Sequence, residues 1–302
     1  MRTLLAIVFV FGLAACRAAG PPVLVYAAAD RVVVGGDLPD SDLFSIDPQS
    51  QTIRSLTGLT DMVEADPCLD VSRSRVVFVG QGIDGRTSLF LLALDEAGGR
   101  TMKVLYACED IIYDPAWSND GERIAFVERQ PDGRLMIKLV NADGSGVTDL
   151  GYGSDPSWRM DDRAVYFNSS DTPDEPVGEL MVRDLATGVV QSLGLRGDGF
   201  TNLQRGMSIV YTKPAYSRRN EAVWLIDANN NETRLSDPGK THRDQDPVHV
   251  NGTTLVAFTR IDVETNRASV YVVDRASDDP VAVPLIQGKV SAFTRGGERL
   301  FK

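Results

Sequence analysis

Four of the seven Asp-Pro pairs in this 302-residue chain, those that open a repeated frame, are the first candidates for chemistry: Asp66-Pro67, Asp114-Pro115, Asp155-Pro156 and Asp246-Pro247. Each is followed, three residues after the Asp, by a large side chain: Leu69, Trp117, Trp158 and His249. Carboxylates gathered in one place concentrate cations or basic segments. An isolated Asp-Pro only anchors its own turn, since Asp bonds nearby backbone and Pro presets φ. The two histidines, His242 and His249, both lie in "KTHRDQDPVHV". A catalytic or metal-binding pair is one use for them, but His249 stands where two of the other copies carry Trp, which favours packing. There is no G-x-S-x-G elbow, no H-E-x-x-H and no glycine-rich phosphate loop leading into a helix. The sequence therefore nominates no catalytic residue, no metal ligand and no cofactor.

What must position the aspartates is a repeat. With Asp114 as position one, Trp117 is position four, Ile124 position eleven and Phe126 position thirteen. Asp155, Trp158, Val165 and Phe167 follow the same frame, as do Asp66, Leu69, Val76 and Phe78, and Asp246, His249, Val256 and Phe258. A weaker copy starts at Gly199 and reaches Ile209 and Tyr211 without the Asp-Pro, and a partial one runs from Val290 to Phe293 into "RGGERL". A second landmark, an apolar strand running into an acidic or amide turn, recurs at Asp47, Asp95, Asn141, Asp184, Asp227 and Asp274, with steps of 48, 46, 43, 43 and 47. Self-similarity at this period marks a stacked or circular repeat architecture. Six such turns predict six units.

Each unit reads as four short strands. The first follows Asp-Pro, where the missing N–H of Pro suits a strand start. Asn-Asp-Gly makes a hairpin into the second, and "RIAFV" and "VVFVG" are apolar on both faces, as strands covered on both sides should be. Four antiparallel strands repeated radially give an all-β fold, a six-bladed β-propeller. "PPVLVYAAAD" resembles a second strand without its first, and "KVSAFTRGG" a first strand with little after it. The expectation is that the C-terminal strand joins the N-terminal blade and locks the ring. Taking "RVVVGG" as the second strand of blade one would leave a seventh half-blade, which six turns do not support.

Residues 1–15, "MRTLLAIVFVFGLAA", have a basic start, an apolar stretch too short for a normal membrane span and small residues at the end, as an export signal does. "LAAC" at 13–16 resembles the bacterial lipobox, which makes Cys16 the lipid-bearing first residue of the mature chain; an ordinary signal peptide and a soluble periplasmic protein are the alternative. Arg17 after Cys16 resembles the outer-membrane sorting pattern. The expected organisation is a lipoprotein signal at 1–15, a lipidated tether at 16–22 and one propeller at 23–302.

The chain carries 43% hydrophobic residues and a net charge of −11; loss of the signal removes only Arg2 and leaves about −12. That acidity argues against nucleic acid, whose binding rests on Lys and Arg, and suits a basic partner, a cation or solubility alone. Cys68 and Cys108 lie in an oxidising compartment by this reading. A disulfide between them, in a loop of about 41 residues, would contribute about 4 kcal/mol in the chain-entropy model; two buried thiols are the other reading. Trp117 and Trp158 read as wedges between blades, and Arg218 and Arg219 of "YSRRN" as a solvated loop tip.

"DPAWSNDGERIAFVERQPDGRLMIKLVNADGSGVTDL" resembles the repeat of TolB-type six-bladed propellers, from about residue 23 to the end. The resemblance implies the propeller fold and a binding role at the channel mouth, without the α/β domain that precedes the propeller in that family. On this basis the chain is expected to be a non-enzymatic interaction module of the cell envelope, a monomer that binds an envelope protein or basic peptide at Asp66, Asp114, Asp155 and Asp246. The alternative is a propeller enzyme of carbohydrate-lyase type with a metal in the channel, a site that would need more than two histidines.

Overall fold

The computed structural model describes residues 5–9, 24–29, 41–46, 53–58, 62–70, 74–82, 84–94, 99–172, 177–202, 208–217, 220–227, 229–250, 253–265 and 268–286. Every regular element among them is a strand. Cys16, the tether, Arg218, Arg219 and the C-terminal copy at 290–293 lie outside these residues.

The first strands are β1 (Leu5–Phe9), β2 (Leu24–Ala29), β3 (Ser41–Ile46) and β4 (Ile53–Ser55), an antiparallel series in chain order. The copy at Asp66 is β5 (Met62–Leu69), β6 (Arg75–Gly82), β7 (Thr87–Leu94) and β8 (Arg100–Cys108). The copy at Asp114 is β9 (Ile112–Trp117), β10 (Arg123–Arg129), β11 (Leu135–Asn141) and β12 (Thr148–Tyr152). Then follow β13 (Ser154–Trp158), β14 (Ala164–Asn168), β15 (Gly178–Asp184) and the long β16 (Val190–Asn202). β17 (Ile209–Ser217), β18 (Asn220–Ile226) and β19 (Glu232–Arg234) carry the copy at Gly199. β20 (His242–His249), β21 (Leu255–Asp262), β22 (Ala268–Asp274) and β23 (Val283–Ile286) form the copy at Asp246.

The copies at Asp114 and Asp246 are separate four-stranded antiparallel sheets, whereas the others run together into sheets of eight and seven strands. Both fusions have local causes. β3 meets β5 through one parallel pair, Ser41 with Val63. β16 pairs with β15 over Val190–Gly197 and with β17 over Asp198–Asn202. In the copies at Asp114 and Asp155 the chain leaves the strand between units, at 109–111 and at Gly153, whereas β16 runs on through Gly197 and Asp198 into the next unit.

Positions eleven to thirteen form the core, as their apolar run predicts. Val76, Val77 and Phe78 have no exposed surface, nor do Ile124, Ala125 and Phe126, or Val256, Ala257 and Phe258. Phe78 stacks on Phe90 of the next strand, and Phe258 on Tyr271. Such cross-strand aromatic pairs add about 0.5–1.5 kcal/mol beyond their burial.

The strand position beside β2 is taken by β1, which lies within the expected signal; the expected closure by the C-terminal strand falls outside the described residues. β1 also lies against β5, β21 and β22.

Candidate functional site: the inner-strand aspartates

Asp66, Asp114, Asp155 and Asp246 all adopt the left-handed backbone, with φ of 43°, 48°, 53° and 50°. Gly199, at the same frame position, has φ of 60°. The position therefore demands a left-handed residue, and Asp is one of the few with a side chain that tolerates it. At each of the five described copies the pairing of first and second strand shifts register beside this residue: between Ala65 and Cys68, Ser154 and Ser157, Asp198 and Thr201, and Gln245 and Val248, and opposite Asp114 between Ala125 and Val127. Such a bulge re-aims the side chain it carries.

The carboxylates reach from unit to unit. Asp66 Oδ2 accepts the backbone N–H of Asp114 at 3.4 Å. Asp155 Oδ2 accepts the N–H of Gly199 at 3.3 Å and the Nδ2 of Asn168 at 3.4 Å. The position-one residues of consecutive units are thus neighbours. Asp155 is buried, whereas Asp66, Asp114 and Asp246 are half-buried and keep a wet face. Three of the four aspartates can meet a ligand, and the fourth is mainly a brace.

Two buried carboxylates that sequence reasoning passed over, Glu64 and Asp244, stand two residues before Asp66 and Asp246. The Thr57 hydroxyl donates to Glu64 and accepts the N–H of Leu43. In the same arrangement the Ser236 hydroxyl donates to Asp244 and accepts the N–H of Val223. Arg260 forks onto Asp244 with bonds of 2.7 and 2.8 Å. Their signal was the shared offset from the Asp-Pro.

The tryptophans are wedges, as expected. Trp117 and Trp158 are buried, and each indole N–H donates to a backbone carbonyl of the preceding unit, Cys68 at 3.1 Å and Ala116 at 3.0 Å. The sequence reading missed what covers them. Arg75 lies over Trp117 at 4.6 Å and donates to the Gly121 carbonyl; Arg123 lies over Trp158 at 4.7 Å and donates to the Asp162 carbonyl. Both arginines stand nine residues after the Asp of their own unit.

His249 fills the tryptophan position of its unit, and its Nδ1 is buried with no partner among the described residues. Burial, with Arg275 nearby, pushes its pKa down to about 4. His242 is half-buried, its Nδ1 2.9 Å from the Thr241 hydroxyl and its Nε2 3.9 Å from Asp262. Among the described residues no group of His, Cys, Asp and Glu is arranged to hold a metal ion.

The disulfide held open above is not formed. Cys68 is on β5 and Cys108 on β8, the first and fourth strands of one meander. Three strand spacings of about 4.8 Å separate them, well beyond the roughly 7 Å limit between bridged Cα atoms. Burial pushes the Cys108 thiol up, and its Sγ donates to the Asp110 carbonyl at 3.1 Å.

No protein-family model matches the sequence, and no curated protein matches it. Solved structures match in shape. TolB from Acinetobacter baumannii superposes with a TM-score of 0.67 at 19% identity, over 82% of this chain and 61% of that one. A TolB-type structure from Agrobacterium tumefaciens gives 0.62 at 16% identity, over 82% of this chain and 90% of that one. The fold is that of the TolB-like β-propellers. The chain spans about three fifths of the Acinetobacter TolB chain. An oligogalacturonate lyase from Vibrio parahaemolyticus shares the fold more loosely, with a TM-score of 0.53 at 13% identity over 84% and 74%. Among the described residues no helix is long and apolar enough to cross a membrane.

Proposed function

We propose that this chain is a six-unit propeller, exported by residues 1–15, lipid-anchored through Cys16 on the periplasmic face of the outer membrane, and acting without catalysis as an interaction module. Its ligand is a basic peptide, or a Lys- or Arg-bearing loop of an envelope protein, held at the channel mouth. The observation that carries this reading is the repeated, half-exposed Asp in a fixed left-handed turn at Asp66, Asp114 and Asp246. Carboxylates held rigidly around one opening focus negative potential there. The histidines weigh the same way against a metal-dependent lyase, since His249 is buried in a packing position and His242 turns to Thr241 and Asp262.

The test replaces Asp114 and Asp246 with Asn, which keeps a side-chain acceptor for each turn and removes two charges. Folding should survive by circular dichroism. Affinity for a fluorescent Lys/Arg-rich peptide, and crosslinking to envelope proteins, should fall, more at low salt than at high. Unchanged affinity at low salt in the folded variant would reduce the acidic mouth to turn chemistry. Turnover of oligogalacturonate with added manganese by the wild-type chain would instead support the lyase.

A further inference from the structure

The outer strands of the first two units carry a charge opposite to that of the chain as a whole, whose net charge is −11. β4 and β8 are the outermost strands of those units, and Arg54, Arg100 and Lys103 on them are all exposed. The two strands meet, since Arg100 Nη2 donates to the Ser55 carbonyl at 2.9 Å. Among the three bases stand Met102, 43% exposed, and Val104, 52% exposed. The stretch "GRTMKVL" at 99–105 contains no acid.

The fold gives these bases no acid of their own. Their cross-strand partners are Ser45 for Arg54, Leu94 for Arg100 and Leu91 for Lys103. Among the described residues none of the three is in an ion pair. Asp143, on an exposed turn of the next unit, is near enough to Lys103 for the ammonium to help lower its carboxyl, but its hydrogen bond goes to the N–H of Ser145. On other outer strands the bases are matched: Arg234 pairs with Asp237, and Arg196 stands opposite Glu179. Exposed Val281 and Val283 follow two acids, Asp278 and Asp279.

Unmatched cations beside exposed apolar side chains suit one surface above others. Anionic headgroups take the cations, and the side chains of Met and Val enter between them. An acidic protein segment offers the same charge, and the position of the anchor decides between the two. The eight residue steps from Cys16 to Leu24, where β2 begins, span at most about 28 Å. A chain held by lipid at Cys16 therefore keeps the start of its first unit within that distance of the bilayer.

We infer that β4 and β8 rest on the anionic phospholipid surface to which the chain is tethered, an inference that rests on the anchored reading above. Asp66 lies on β5, three strands in from β8, so this contact leaves it open to a ligand.

The experiment compares three purified full-length chains, all with Cys16→Ala so that no lipid is attached. One is otherwise unchanged. The second carries Arg54→Gln, Arg100→Gln and Lys103→Gln, and the third carries Arg163→Gln, Arg183→Gln and Arg196→Gln, which removes the same charge from the fourth unit. Each is floated with phosphatidylcholine vesicles made with and without phosphatidylglycerol. The leader is common to all three, so the differences among them report the surface. Partition onto the phosphatidylglycerol vesicles should fall about tenfold or more in the second chain and stay near the parent's value in the third. High salt should erase the difference, and circular dichroism should be the same for all. An equal fall in the second and third chains would mean that net charge alone acts and would overturn the contact. Parent-like partition of the second chain, or no preference of the parent for anionic vesicles, would overturn it as well. Because no acyl chain is attached, the result is independent of whether Cys16 carries lipid.

Discussion

The indole nitrogen of Trp158 donates to the backbone carbonyl of Ala116, 3.0 Å away and 42 residues earlier in the chain. One unit back, Trp117 makes the same bond to Cys68, 49 residues earlier. Each bond ties the inner strand of one unit to that of its neighbour, and in each an arginine of the earlier unit covers the ring. Trp158→Phe should keep most of the packing but leave a buried carbonyl without its donor, a cost of about 1–3 kcal/mol. Arg123→Met should cost about 1 kcal/mol through the lost cation–π contact. Because both side chains meet at one ring, the double variant should lose less than the sum, which urea unfolding of the four proteins measures directly.

His249 should make stability depend on pH. Its folded-state pKa, about 4, lies below the usual histidine value of about 6.5, so between those limits the unfolded chain binds more protons. The contribution of the neutral ring is present in full above about pH 6.5 and is lost as pH falls toward 4. By linkage, lowering the pH from 7.5 to 5 should cost about 2 kcal/mol from this residue. His249→Trp, which places there the side chain that two of the other copies carry, should flatten the dependence. If urea midpoints of wild type and variant fall in parallel over that range, the titrating group is elsewhere.

Asp244 and Arg260 are a buried pair, the carboxylate having no exposed surface. Arg260→Ala should leave that carboxylate uncompensated and destabilise the fold by about 3–5 kcal/mol. Replacing both residues with apolar side chains of similar volume should recover most of the loss. Denaturant midpoints that rank the double variant below the single one would mean that the ion pair itself is strongly favourable.

Cys16→Ala should release the protein from sedimented membranes into the soluble envelope fraction. Continued sedimentation with outer membranes would exclude the proposed lipid as the anchor.

Much of the fold was legible because the positions that bury side chains recur at fixed offsets. Val76 and Phe78, Ile124 and Phe126, and Val256 and Phe258 declare both strand and core at once. The copy at Gly199 was faint because the position needs only a left-handed φ, which glycine supplies without the Asp-Pro signature. The site was less legible. Asp155 looks like its three counterparts in sequence, yet it is buried against Asn168 and Gly199, and nothing within its own unit announces that. Arg75 and Arg123 were missed because a position on one strand gains its meaning from the tryptophan of the following unit. Of the two readings left open for the cysteines, only the structure could choose, because sequence spacing does not show that β6 and β7 lie between Cys68 and Cys108.

β16 is one uninterrupted strand of 13 residues that serves two sheets. Elsewhere among the described residues the chain leaves the strand between one unit and the next, if only at Gly153, and a break there need not disturb the neighbour's ladder. Here the boundary has no joint. Pulling the Gly199 unit away would strip hydrogen bonds from the unit before it, so the segment from Ser154 to Arg234 should open as one cooperative block, with amide protons on both sides of Gly197 exchanging at a common rate.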